Sequence, residues 1–248
     1  MATRGRFRQR GDADNLDAYG PVTTRRDTGP TATADVPRLA LTLLVQLACI
    51  VFVLAGPIGP ALLVEPVGRL RIACVLLAGL RALQLYVLPG SAAFKSKRAR
   101  QRSSVRGYAE VLATAAIATL VGAAILHVTA VFFGAHLTDQ FLQTWYGALF
   151  VSLVAVTPGV LVFGDRKAEW IRVVLEHQLE HFEDYVIFVP LAASLVGAWA
   201  GGIVLPLDWD AWPIPSVLAA SGGYVIGSVA VLVMRIFGLG ALAQKRAE

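Results

Sequence analysis

Asp208 and Asp210, set one residue apart around Trp209 and followed by Trp212, form the sequence feature of this chain best suited to chemistry. Two carboxylates in a turn can hold a divalent cation if further oxygen ligands complete the shell. The competing reading is plainer. Asp and Pro suit a short turn between helices, and Trp settles at a membrane–water interface. Pro206, Pro213 and Pro215 frame the turn, and Trp199 lies shortly before it, so the pattern favours a rigid interfacial turn over a metal site.

A second candidate is Glu176-His177-Gln178-Leu179-Glu180-His181. On a helix, His177 and His181 share a face and could ligate a metal. The order differs from the zinc-protease pattern, because Glu176 precedes the first His. Trp170, Ile171, Val174, Leu175 and Leu179 supply an apolar side. The segment therefore reads as a cytosolic amphipathic helix lying on the bilayer.

Arg81 and His127 are the third group. Both fall inside long apolar runs, where an ionised side chain costs about 2.5–3.5 kcal/mol on insertion scales. Arg81 lies roughly 10 Å from the end of its run, too deep for snorkelling alone. It needs a partner, and Glu110 is one candidate. His127 reads as the donor or acceptor of an interhelical hydrogen bond. No Ser-His-Asp order, P-loop or zinc-protease motif stands out. No catalytic, metal or cofactor residue is assigned.

The elements that position these residues are membrane helices. The chain is 56% hydrophobic and 16% charged, with mean hydropathy +0.63. Apolar runs of about 18 residues or more read as transmembrane helices, because the bilayer offers no water to pair backbone groups. Six such runs are present, at about 39–57, 69–88, 108–133, 141–163, 186–205 and 214–238. The fold class is an all-α, six-transmembrane-helix bundle over 38–240. Residues 1–37 are rich in Arg, Asp, Gly and Thr and read as a disordered cytosolic tail, too polar for a secretory signal. Residues 241–248 form a cytosolic C-terminal tail.

Charge sets the orientation. Lys95, Lys97, Arg98, Arg100, Arg102 and Arg106 follow the second run, Arg166, Lys167 and Arg172 follow the fourth, and Arg235, Lys245 and Arg246 close the sixth. The alternate loops carry no Lys or Arg, apart from Arg69 and Arg71 at the edge of the second run. The positive-inside bias puts both termini in the cytosol and the Asp208–Asp210 turn on the lumenal or exterior side. Basic membrane loops account for the net charge of +5 without nucleic acid, and anionic lipids would attract the 95–106 run. Cys49 and Cys74 both lie in spans and make neither a disulfide nor a metal framework. The two three-helix halves show no repeat of the inverted-transporter kind.

Small residues complete the pattern. Gly197 and Gly201 are four apart, as are Gly223 and Gly227. That spacing lets helix backbones approach closely, which points to a protein built for close helix contact.

The stretch Val196-Gly197-Ala198-Trp199-Ala200-Gly201-Gly202, followed by Leu205-Pro206-Leu207-Asp208-Trp209-Asp210-Ala211-Trp212-Pro213-Ile214-Pro215, resembles the signature of the PIG-F family (phosphatidylinositol-glycan biosynthesis class F). Its members read approximately GAWLGAxPIPLDWDRPWQxWPI. His127-Val128 through Gly134-Ala135, then Gln143-Thr144, Ser152-Leu153 and Pro158, then Phe163-Gly164-Asp165 and Trp170-Ile171-Arg172-Val173, extend the resemblance over about 108–238. The RPWQ insertion after Asp210 is missing, and Gln143 stands where the family shows Glu.

The resemblance implies a non-catalytic subunit of the endoplasmic reticulum membrane. Such a subunit stabilises large polytopic ethanolamine phosphate transferases that modify GPI mannoses on the lumenal side. The large partner holds the zinc-dependent site. Asp208, Trp209, Asp210, Trp212 and the glycines Gly197, Gly201, Gly223 and Gly227 are the expected partner-binding residues. Membrane lipids, and the GPI precursor glycolipid, are the further expected contacts. The alternative is a stand-alone lipid-modifying enzyme or lipid transporter using His127, Arg81 or the Asp208/Asp210 pair.

Overall fold

A computed structural model describes residues 65–87, 104–136, 138–164, 166–180, 182–203 and 213–237, together with the helical residues 43–45, 47, 48, 50 and 51. No strand occurs among them. The helices are α1 (Pro66–Val87), α2 (Ser104–Phe132), α3 (Phe141–Phe163), α4 (Lys167–Trp170), α5 (Phe182–Ile203) and α6 (Ile214–Ile236), and a π-helical turn, Ile171–Leu175, follows α4. Among the described residues, four helices are long and apolar enough to cross a membrane: Tyr108–Phe132, Phe141–Phe163, Asp184–Ile203 and Ile214–Ile236. At 1.5 Å per residue they measure about 30–38 Å, the thickness of a hydrocarbon core. They coincide with the last four runs expected from sequence. The second expected run falls on α1, and the helical residues 43–45, 47, 48, 50 and 51 lie within the first.

The chain turns where its glycines permit. Gly134 (φ 105°) follows α2 and Gly164 (φ 62°) follows α3, conformations that cost a residue with a Cβ more than they cost glycine. The Gly164 amide then donates to the Val160 carbonyl at 2.8 Å and closes the helix.

α3 is the central helix. It touches α1, α2, α5 and α6, and 16 of its 23 residues are buried. On one side Phe150, Leu153 and Val154 meet Leu70, Ala73 and Leu77 of α1 and Val217 and Tyr224 of α6. Near the opposite end Val162 and Phe163 join Val173, Val186, Ile187 and Val231. Polar ties add register between α2 and α3. Ser152 Oγ donates to the Thr119 carbonyl at 2.8 Å, and the Thr119 and Thr157 hydroxyls lie 2.8 Å apart. Hydrogen bonds between membrane helices contribute about 0.6 kcal/mol each on average, so such ties fix alignment more than they supply stability.

The most extensive helix pair is α5 with α6, and the glycines explain it. A Cβ on Gly197 would run into the Ala219 carbonyl, and one on Gly223 into the Ala193 carbonyl. A Cβ on Gly201 would lie 2.5 Å from the Pro215 carbonyl oxygen, and one on Gly227 2.8 Å from Pro190 Cα. All four glycines therefore face each other's helices within the chain. The expectation that they form an outward docking surface is corrected: the spacing does encode close approach, but the neighbour is the next helix in sequence.

Residues 176–180 also depart from expectation. They are not helical, and His177 adopts a left-handed backbone (φ 55°). His177 and His181 therefore do not share a helix face, and His181 lies outside the described residues. Helix propagation stops because Arg172 donates to the Gln178 carbonyl at 2.7 Å and the Glu180 amide to Asp184 at 3.0 Å. These bonds fold the segment back as a tied loop.

Candidate functional site

Arg81 is where its depth demands a partner, and it has several. It is only 5% exposed. Nη1 donates to Gln84 Oε1 at 3.1 Å, and Nη2 to the Val154 carbonyl at 3.4 Å. The guanidinium also meets the hydroxyl of the buried Tyr224 on α6. One cation thus joins α1, α3 and α6. Glu110 is exposed on α2.

His127 behaves differently from expectation. It is 7% exposed, and neither ring nitrogen has a hydrogen-bond partner. The ring instead packs edge-on against Phe141, with centroids 4.9 Å apart, and Trp145, at 5.8 Å. The expected interhelical hydrogen bond is replaced by an aromatic nest, because these rings crowd the imidazole and edge-to-face contact satisfies its quadrupole.

A polar cluster that the sequence reading did not assemble lies between α4 and α5. Arg172 grips the Asp184 carboxylate with two bonds, 2.8 Å and 2.9 Å, and binds Glu169 Oε2 through Nη2 at 2.7 Å. The Asp184 side chain is 3% exposed and that of Arg172 14%. The hydrogen bonds that it donates to Asp184 hold the guanidinium above its ordinary pKa, with Glu169 adding to the effect. A charged residue opening an apolar run was the available signal: Asp184 stands two residues before the fifth expected run. The loop this cluster ties is further held by Trp170, whose Nε1 donates to the Gly164 carbonyl at 3.2 Å and whose ring meets Phe163 edge-on.

The opposite end of the bundle holds a cavity of about 670 Å³ between α2, α3, α5 and α6. Gly147, Ala148, Ala198 and Gly202 make room for it. Trp199, near the end of α5, is 57% exposed at its edge. Asp208, Trp209, Asp210 and Trp212 lie outside the described residues. Among the described residues no three His, Cys, Asp or Glu side chains group as a metal site. Cys74 is buried, its thiol directed to the Tyr146 carbonyl at 3.6 Å.

The arrangement is that of a helical scaffold with a buried cation, a tied loop at one end and an apolar cavity at the other. Known proteins resemble it in sequence. The model of the GPI biosynthesis protein family Pig-F matches residues 38–232. A human protein named GPI ethanolamine phosphate transferase, stabilizing subunit, is 30% identical over 151 residues, covering 59% of this chain and 66% of its own length. The mouse protein of the same name is 31% identical over 114 residues, covering 44% and 52%. Glycosylphosphatidylinositol anchor biosynthesis protein 11 of Neurospora crassa is 31% identical over 120 residues, covering 46% and 42%. The matched region thus spans just under two thirds of the human relative and about half of the mouse one. No solved structure matches the chain. With the family model covering most of the sequence, including Arg81, His127, Arg172 and Asp184, the chain belongs to the Pig-F family of GPI biosynthesis proteins.

Proposed function

We propose that this chain is a non-catalytic, stabilising subunit of a GPI ethanolamine phosphate transferase complex in the endoplasmic reticulum membrane. Family membership carries the reading, together with mammalian relatives named as stabilising subunits of that transferase. The helix content supports a membrane location. The charge pattern supports six spans with both termini cytosolic and the 204–212 turn on the lumenal side.

The faces that the helices leave uncovered suggest where a partner would bind. The Gly197/Gly201 and Gly223/Gly227 faces are taken up within the chain, so they are withdrawn as the interface. α2 is the open candidate. It packs chiefly on α3, and only 22% of its most apolar stretch is buried. Ile117, Val121, Ile125 and Val128 point outward from it. A membrane helix gains nothing from hydrophobicity when it leaves lipid for protein, so such a contact would rest on van der Waals fit. The Asp208–Asp210 turn remains a second candidate contact, through a charge pair with the partner.

An affinity pull-down of the tagged chain in mild detergent, followed by mass spectrometry, tests the assignment. Recovery of a large polytopic transferase is expected. Recovery of the chain alone, from membranes that contain the transferase, would refute it. Tags at residue 15 and at the C-terminus should be reached by antibody after selective plasma-membrane permeabilisation, and a tag near Pro206 should not.

A further inference from the structure

We propose that Trp170 is a splint across a hinge in α3, and that the loop carrying it, 166–180, sets whether that hinge is held or free. The hinge is Pro158 with Gly159. Proline cannot close the bond to the Val154 carbonyl, and glycine adds backbone freedom at the next residue. Helices bend at such points. Before the break α3 is tied to its neighbours by polar contacts. Arg81 donates to the Val154 carbonyl at 3.4 Å, Ser152 to the Thr119 carbonyl at 2.8 Å, and the Thr157 hydroxyl lies 2.8 Å from that of Thr119.

After the break the holding contacts converge on one side chain. Val160 and Leu161 pack with Ala115 of α2, and Val162 and Phe163 with Val186 and Ile187 of α5 and Val231 of α6. Trp170 is packed against both groups. A Cβ on Gly159 would lie 2.6 Å from Trp170 Cη2, so the indole fills the space that glycine leaves beside the break. At its other end Nε1 donates to the Gly164 carbonyl at 3.2 Å, and the ring stands edge-on to Phe163, with centroids 5.4 Å apart. Gly159 and Gly164 are separated by about 7.5 Å of helix rise. A single rigid ring system therefore bridges the whole stretch that follows the hinge.

Trp170 is held in turn by its own loop. It ends α4 and directly precedes the π-helical turn Ile171–Leu175, a kind of turn that gathers at functional sites. Two residues on, Arg172 is bonded to Glu169 at 2.7 Å, to Asp184 at 2.8 Å and to the Gln178 carbonyl at 2.7 Å. Ile171 and Leu175 are exposed on the same turn, so the loop is open to contact from outside. Whatever draws the loop off the bundle withdraws the indole with it. The two states are α3 with its end splinted and α3 with its end free to bend at Pro158, and the Trp170 contact is what differs between them.

Hydrogen–deuterium exchange of the full chain in lipid nanodiscs, read by mass spectrometry, tests this, because amide exchange reports local opening. Trp170→Ala should speed exchange at residues 159–164 about tenfold, the change that about 1.4 kcal/mol produces, and leave residues 141–152 at the wild-type rate. Trp170→Phe, which keeps a ring and loses the bond to Gly164, should fall between the two. Asp184→Asn, which weakens the hold on Arg172 without touching α3, should speed the same residues. Pro158→Ala restores the missing amide, so adding it to Trp170→Ala should return residues 159–164 to the wild-type rate. Unchanged exchange in Trp170→Ala or in Asp184→Asn would overturn the proposal. So would acceleration spread along all of α3, or acceleration that Pro158→Ala does not reverse, since either means lost packing and not a released hinge. The readout needs no transferase, so its outcome is separate from that of the accessory role.

Discussion

Arg81 of α1 reaches the carbonyl of Val154 on α3, the carbonyl that Pro158 cannot bond. Proline lacks the amide that would close the bond four residues back, and in a membrane a freed carbonyl must be met by a neighbouring helix. The guanidinium meets it from α1. The apolar cost of burying Arg81 and the polar cost of burying Pro158 are thus offset in one contact.

Coupling between these two residues follows. Pro158→Ala restores the helical bond to Val154, so Arg81→Met should cost less in that background than in the wild type. The expected interaction energy is about 0.5–3 kcal/mol, measured as thermal unfolding of the four proteins in one detergent. Strict additivity would show that the carbonyl is not what Arg81 serves.

The Arg172–Asp184 pair should carry much of the stability of the loop between α4 and α5. Removing one member of a buried pair costs about 3–5 kcal/mol, so Asp184→Ala should lower the unfolding midpoint sharply and expose residues 176–180 to protease. The raised Arg172 pKa fixes the sign with pH. A raised value means the contribution is complete below the ordinary arginine range and lost only above it. Going from about pH 7 to about pH 10 should therefore leave the loop protected. Protease sensitivity appearing over that range would contradict the pairing.

Gly197→Leu and Gly223→Leu should damage the chain itself. Each side chain would enter the backbone of the facing helix, and overpacking costs about 1–3 kcal/mol or more. Size-exclusion profiles of the chain expressed without a partner should show loss of the monodisperse peak. Gly222→Ala, with nothing within 4 Å of the added carbon, should be silent. A monodisperse Gly197→Leu protein that has lost only its transferase would return the glycine face to the intermolecular interface.

His127→Phe tests the aromatic nest. Both imidazole nitrogens are buried without partners, and exchanging an unpaired polar ring for an apolar one of similar shape is close to neutral or stabilising. The unfolding midpoint should hold or rise, and transferase recovery should be unchanged. A fall in recovery with the fold intact would assign His127 a contact to the partner.

The helices were legible because run length alone reports a membrane span. The ends of α3 match the expected 141–163. Glycine spacing was legible as close approach, but spacing names a face and not what covers it, so α5 meeting α6 was invisible. The His177/His181 pairing failed because an i,i+4 argument presumes a helix, and Arg172 and Asp184, twelve apart, override local propensity there. The cavity left only a faint trace in Gly147, Ala148, Ala198 and Gly202, which any close helix contact would also explain. Asp208 and Asp210 lie outside the described residues, and their role stays with experiment: if they dock a partner, Asp208→Ala and Asp210→Ala should reduce the amount of complex and not the activity per complex.

The most direct test of the accessory role is ethanolamine phosphate transfer to a GPI lipid acceptor by three purified samples: this chain alone, the large transferase alone, and the two together. A stabilising subunit contributes no group to the transition state. The chain alone should therefore show no turnover, and the pair should show more active transferase than the large subunit alone, with unchanged activity per folded transferase. Turnover by this chain in the absence of the large subunit would contradict the account.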